Sequence, residues 1–330
     1  MLMALAALGI TGSTYAGLDF ESPLKTEDIN IRDPFIYADQ QSKTYYLYAE
    51  SGNYDGQYTG VQVYLSKDLI RWSKPRPVME YPEKDSDILW VWAPEMHKFN
   101  GTYYLFVTLT FKTELPEKQP VEVGKWPDMH IRGTHIFRAN NPLGPFNQVK
   151  TTSHTPADWM ALDGTLFVEN GKPYMVFCHE WVQIIDGTID YIQLKDDLSD
   201  TVGKPQLMFK ASCAPGAEPS PKAGKITDGC FFYRSPLSNR LFMIWSTHIP
   251  GKGYCVVLTH SESGKLRGPW QEQELLYTQD GGHGMIFSTF NDRLMMAIHQ
   301  PNVRRKERLR LFVITDNGMS LTVNKEEKLP

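Results

Sequence analysis

The sequence is short of several features that would point elsewhere. Lys and Arg number 34 against 38 Asp and Glu, a formal net charge of -4, so no basic surplus exists to hold a phosphate backbone and nucleic acid is not an expected partner. Beyond the N-terminus no run of about eighteen apolar residues occurs, which leaves no segment to cross a membrane as a helix. The only basic run, Arg304-Arg-Lys-Glu-Arg-Leu-Arg, is interleaved with apolar residues and reads as a turn leading into an outer strand. Cysteine is scarce as well. Cys178, Cys213, Cys230 and Cys255 show no metal-ligand spacing, and three of them sit inside apolar strand patterns as buried thiols rather than as a disulfide framework.

What the sequence does contain is a repeat. Five short segments begin alike: Asp33-Pro-Phe-Ile-Tyr, Ala93-Pro-Glu-Met-His, Asp163-Gly-Thr-Leu-Phe, Asp228-Gly-Cys-Phe-Phe and His283-Gly-Met-Ile-Phe, with leading residues 60, 70, 65 and 55 positions apart. Each is followed by a polar turn and a second apolar run, and the turns carry the Asn, Asp and Gly that accept positive φ in a β-hairpin. A second strand pair follows each hairpin: Gly60–Ser66 with Ile70-Arg-Trp, Gly133–Ala139 with Gly144-Pro-Phe, Gly187–Leu194, Gly253–Thr259 with Gly268-Pro-Trp, and Arg308–Thr315. Four antiparallel strands per unit and a long all-strand period predict an all-β, five-bladed β-propeller, with residues 17–330 as one domain. Met1–Ala16, apolar and ending in small residues, reads as a secretory signal, which places the mature chain outside the cytoplasm, secreted or periplasmic.

In a propeller the first strand of each blade lines the axis, so Asp33, Ala93, Asp163, Asp228 and His283 are expected to converge at one end of the channel. Glu95, two positions beyond Ala93, should share that face. A lone Asp-Gly is usually a turn. Three aspartates and a histidine in one repeat register form a costly cluster of charge unless the protein uses it. The ends of the second strands should bring Glu50, Glu180, His248 and His299 to the same rim. Trp90, Trp92, Trp159 and Trp181 fall near the same rim, where they offer flat apolar faces to a ligand, and the two long insertions, 110–132 and 211–225, are placed to shape the walls of a cleft.

Arg32-Asp-Pro-Phe, Trp92-Ala-Pro-Glu-Met-His, Leu162-Asp-Gly-Thr-Leu-Phe and Gly282-His-Gly, taken in order from about residue 28 onward, resemble glycoside hydrolase family 43. The resemblance implies an inverting hydrolase of arabinose- or xylose-containing plant polysaccharides and oligosaccharides; separately from the resemblance, a monomer is expected. It implies that Asp33 is the general base, that Asp163 tunes and orients the acid, and that His283 is the axial histidine that in many members holds a calcium ion or its water shell. No other cofactor is expected.

One position departs from the family pattern. The usual general acid is a Glu followed by Gly-Pro at the start of the fourth blade, where this chain reads Thr227-Asp228-Gly-Cys. Asp228 can donate the same proton from a side chain one methylene shorter, and Glu180 in His179-Glu180-Trp181 is the other candidate. Inversion needs a base for water and an acid for the leaving oxygen roughly 6.5–9.5 Å apart, which residues facing each other across a narrow channel can provide. Two rival readings stand beside this one. Retaining fructan hydrolases share the architecture but carry an Asn-Asp-Pro-rich opening and a Glu-Cys acid motif, neither of which occurs here. A non-catalytic carbohydrate-binding propeller would have no use for a water-activating carboxylate at Asp33.

Overall fold

The computed structural model describes residues 23–51, 59–81, 87–115, 129–217 and 224–324. The proposed signal, Met1–Ala16, and the central parts of both insertions lie outside the described residues.

Five antiparallel sheets follow one another along the chain. Blade one is Phe35–Asp39, Thr44–Ser51, Thr59–Ser66 and Arg76–Tyr81. Blade two is Ile88–Phe99, Thr102–Glu114, His130–Ala139 and the short Asn147–Gln148. Blade three comprises Ala161–Glu169, Lys172–His179, Thr188–Leu194 and Thr201–Lys210. Blade four comprises Asp228–Arg234, Leu241–Ile249, Gly253–Ser261 and Trp270–Tyr277. Blade five closes with Gly282–Ser288, Leu294–Gln300, Arg308–Asp316 and Leu321–Val323. The first strands of successive blades touch one another all the way round, the fifth returning to the first. That closed contact makes the ring.

The turn residues do what their chemistry allows. Asn100, Asn170, Asn239 and Asp292 all take positive φ at the tips of first hairpins. The apolar faces of neighbouring blades pack against each other, so the core consists of interleaved clusters, one joining blades five, one and two, another blades three and four. Ring closure uses the segment just before blade one. The Leu309 N–H donates to the Ile29 carbonyl at 3.4 Å and the Asn30 side-chain amide donates to the Glu307 carbonyl at 2.7 Å.

Outer strands were less legible than inner ones. Ile70-Arg-Trp pairs Thr59–Ser66 as expected, with Trp72 opposite Ser66, but at that one position only, because Asp68 Oδ1 takes the N–H groups of Ile70 and Arg71 and closes a turn. Arg71–Trp72 then pairs Leu24–Lys25, and the fully buried Trp72 donates to Thr26 Oγ1 at 3.0 Å. Arg76–Tyr81 supplies the longer outer edge of the same strand, from Thr59 to Val63. In blade two Gly144-Pro-Phe follows the turn at Pro142-Leu143 without pairing in the sheet, and the outer pairing comes one residue later at Asn147–Gln148. The predicted start at Gly268-Pro-Trp leads directly into Trp270–Tyr277.

Candidate active site

Each innermost strand enters the ring through a residue with left-handed backbone: Asp33 (φ 51°), Ala93 (46°), Asp163 (56°), Gly229 (52°) and His283 (46°). In blades two to five a β-bulge accompanies this residue, running from Trp92 to Glu95, Leu162 to Thr165, Asp228 to Phe231 and Gly282 to Met285. Such a bulge re-aims the side chains at the strand mouth. The fourth member of the set is therefore Gly229. Asp228 stands one residue earlier, in register with Trp92, Leu162 and Gly282, which corrects the alignment expected from the sequence repeat.

A cavity of about 460 Å³ opens at this end of the axis, and Asp33, Asp163, Asp228, Glu180 and His283 all line it, together with Trp90, Trp92 and Trp181. Its floor is a compact charge network. Asp33 Oδ1 lies 3.1 Å from His283 Nδ1, 3.2 Å from His299 Nδ1 and 3.8 Å from Arg32 Nε. Burial alone would raise the Asp33 carboxyl, but His283, Arg32 and His299 outweigh it and hold the group well below the usual carboxylate range. Arg32 is fixed in turn by Asn302 Oδ1 at 2.7 Å and Glu307 Oε1 at 3.3 Å.

Asp163 sits beside the same imidazole, its Oδ2 3.7 Å from His283 Nδ1. Its amide donates to Thr108 Oγ1 at 2.9 Å, and Oδ2 accepts the Gly229 N–H at 3.0 Å. Burial first, then the charges of Asp228 and Asp33, hold Asp163 well above the usual range. Asp228 Oδ2 accepts the Tyr254 hydroxyl at 2.9 Å. Burial, the largest influence, pushes Asp228 up to about 6, helped by Asp33 and opposed by His283, Tyr254 and Arg32. Asp163 and Asp228 thus keep their protons, as neutral carboxyls, to higher pH than Asp33 does.

One wall is aromatic. The Trp90 and Trp92 rings lie parallel, centroids 5.3 Å apart and planes at 8°, and the Arg132 guanidinium stands 4.4 Å from the Trp92 ring centre. Arg132 donates to Thr110 Oγ1 at 2.8 Å and forms an ion pair with Glu180. Glu180 is therefore an anchored carboxylate, fixed at the head of the single helical turn Trp181–Ile184.

An ionised and a protonated carboxylate in one cavity can serve as base and acid, and comparison with known proteins decides the family. The family model for glycosyl hydrolases family 43 matches residues 23–319. The chain belongs to glycosyl hydrolase family 43. It is a glycoside hydrolase, an enzyme of O-glycosyl bonds. The fold of an endo-arabinase from Bacteroides thetaiotaomicron superimposes with a TM-score of 0.74 at 35% identity, over 89% of this chain and 97% of that one. An alpha-L-arabinofuranosidase from Lactobacillus brevis matches at 0.69 with 18% identity over 91% and 95%, a likeness of fold. Among curated sequences, a probable arabinan endo-1,5-alpha-L-arabinosidase C of Aspergillus fumigatus is 29% identical over 88 residues, 25% of this chain and 24% of that protein's length.

Not every residue expected at the family-43 site is there. Glu95 is buried behind the cavity, bound to His97 Nε2 at 3.0 Å, because the bulge after Trp92 turns it along the channel. Trp159 faces blade three, stacked on His179 with centroids 4.1 Å apart, and has no place in the cavity lining. His248 also lies outside the lining, on the surface, where its Nε2 accepts the Asn302 amide at 3.2 Å. Glu50 reaches the cavity as expected, and His299 lies directly against Asp33. Arg32, part of the Arg32-Asp-Pro-Phe motif, is the cation beside Asp33, and its adjacency to Asp33 in the chain was the available signal. Arg132, Tyr254, Asn302 and Glu307 carried no local signal at all.

Calcium takes six to eight oxygen ligands. Around His283 the carboxylates of Asp33 and Asp163 face the imidazole Nδ1 itself rather than a shared point, and among the described residues no group of three or more His, Cys, Asp or Glu is arranged to hold a metal. The described residues around His283 do not form a cage of oxygen ligands for calcium.

Proposed function

We propose that this enzyme hydrolyses arabinose-containing plant cell-wall glycans with inversion, arabinan first among them and xylose-containing chains as the alternative substrate. The observation that carries the reading is the split between two carboxylates lining one cavity: Asp33 held well below the usual range by His283, Arg32 and His299, and Asp228 pushed up to about 6. A base and an acid made from like side chains require such a separation. The arabinan preference rests on the 35% identity to the endo-arabinase over nearly the whole of both chains.

In this reading Asp33 takes a proton from water as the water oxygen bonds to the anomeric carbon. The bond to the leaving oxygen breaks on the opposite face, and that oxygen receives the Asp228 proton. Asp163, held by Thr108 and Gly229, stands beside His283 and fixes the backbone just after Asp228, so it orients the acid. Glu180 is the weaker candidate for the acid, since its carboxylate is committed to Arg132. Trp90, Trp92 and Trp181 supply apolar faces for sugar rings in the cavity wall. His283 acts as the partner that orients and charges Asp33. Action outside the cytoplasm agrees with a polymeric substrate, and the N-terminus of the mature protein recovered from its host tests it.

The deciding experiment follows the product anomer by NMR with arabinan and xylan oligosaccharides for wild type, Asp33→Asn, Asp228→Asn and Glu180→Gln. An inverted product, with turnover reduced about 10²- to 10⁴-fold by the first two substitutions and far less by the third, is expected. Retained anomeric configuration, or Glu180→Gln as the more damaging change, would overturn the assignment. Sugar binding without turnover in the wild type would leave a carbohydrate-binding propeller.

A further inference from the structure

We propose that Tyr254 is a positioning residue for proton donation, fixing which oxygen of Asp228 faces the substrate. The proposal rests on Asp228 being the acid. Tyr254 lies on Gly253–Ser261, the third strand of blade four, and its hydroxyl reaches inward to donate to Asp228 Oδ2 at 2.9 Å. A hydroxyl that donates to one carboxyl oxygen leaves the proton of a neutral carboxyl on the other oxygen, Oδ1. The short side chain thereby has a defined donor atom, where a free carboxyl could present either oxygen.

The tyrosine is built to be immobile. It is 1% exposed, its N–H donates to Asp280 Oδ1 at 3.2 Å, and its carbonyl accepts the Gly281 N–H at 3.0 Å. The ring stacks on His299 with centroids 5.5 Å apart and planes at 15°. Position 282 makes room for it: a Cβ on Gly282 would stand 2.6 Å from Tyr254 Cε1. His299 in turn takes the Asp33 backbone N–H at 3.2 Å, so the ring that steers the acid rests on the ring that seats the base. Facing Asp228 from the other elements are Asp163, Asp33, Arg32, His283 and the buried thiol of Cys178. Among the hydrogen bonds of the described residues, Tyr254 is the side-chain donor to Asp228.

Tyr254→Phe removes the hydroxyl and keeps the ring. It is tested on a matched pair of arabino-oligosaccharide substrates, one with a sugar leaving group that needs protonation and one with a dinitrophenolate that does not. The expected result is a kcat about 10- to 100-fold lower on the first substrate, KM within about twofold, and a loss below about threefold on the second. An equal loss on both substrates, or no loss on either, overturns the proposal. Asp228→Asn measured on the same pair separates the two claims. If it too loses both substrates equally, Asp228 is not the acid and the underlying reading fails; if it shows strong leaving-group dependence while Tyr254→Phe shows none, only the role of Tyr254 fails. Circular dichroism and a melting curve on Tyr254→Phe establish that the fold is intact.

Discussion

Gly229→Ala tests how tightly the axis is assembled. The left-handed backbone is not itself the obstacle, since Asp33, Ala93, Asp163 and His283 carry side chains at the matching positions with φ between 46° and 56°. The obstacle is His283. A Cβ at 229 would stand 2.7 Å from the ring atoms Cγ and Cδ2 and 3.0 Å from Cα, against ordinary contacts of 3.4–4 Å. The Cα cannot swing aside as a side-chain tip could, and the His283 N–H is tied to Ser246 Oγ at 2.8 Å. Overpacking of this kind costs about 1–3 kcal/mol, and a non-glycine residue in left-handed backbone about 1 kcal/mol more. With an unfolding entropy of about 2.1 cal/mol/K per residue, 330 residues give about 0.7 kcal/mol/K, so Tm should fall by about 3–6 °C. Displacing His283 by roughly 1 Å from Asp33 should also lower kcat about 100-fold. Calorimetry and turnover on the same preparation check both numbers. A Tm within about 1 °C of wild type with full turnover would refute the claim that His283 is held without slack.

Three further outcomes are expected. Because Asp228 must be protonated to act and is pushed up to about 6 by burial and Asp33, kcat/KM should be level below that pH and fall about tenfold per unit above it; a level profile to pH 8 would contradict the assignment. Asn302→Ala removes the acceptor shared by Arg32 at 2.7 Å and His299 Nε2 at 3.2 Å and should cost about 1–3 kcal/mol in urea unfolding, with a lower kcat; unchanged stability would show that the two donors find other partners. Treatment with EDTA should leave activity and Tm unchanged, and a loss restored by calcium would return to His283 the metal role implied by the family resemblance.

The sequence by itself determined the ring. Turn residues and alternating apolar runs are local properties, repeated five times, and they are enough to specify hairpins, blades and an axis where Asp33, Asp163 and His283 meet. Outer strands were harder to read, since Asn147–Gln148 and Leu321–Val323 are too short to carry a period. Only the tertiary structure decided what each charge does. A bulge shifted Asp228 one place out of the repeat, a feature of strand pairing that leaves no mark in composition. Arg132, 48 residues from Glu180, settled that carboxylate's partner, and Asn302 reached Arg32 across 270 residues because ring closure brings blade five beside blade one. Glu95 and Trp159 match sequence patterns as well as Asp33 and Trp92 do. Which of them faces the cavity depends on how each strand mouth is turned, and that is fixed by packing between blades rather than by the residues themselves.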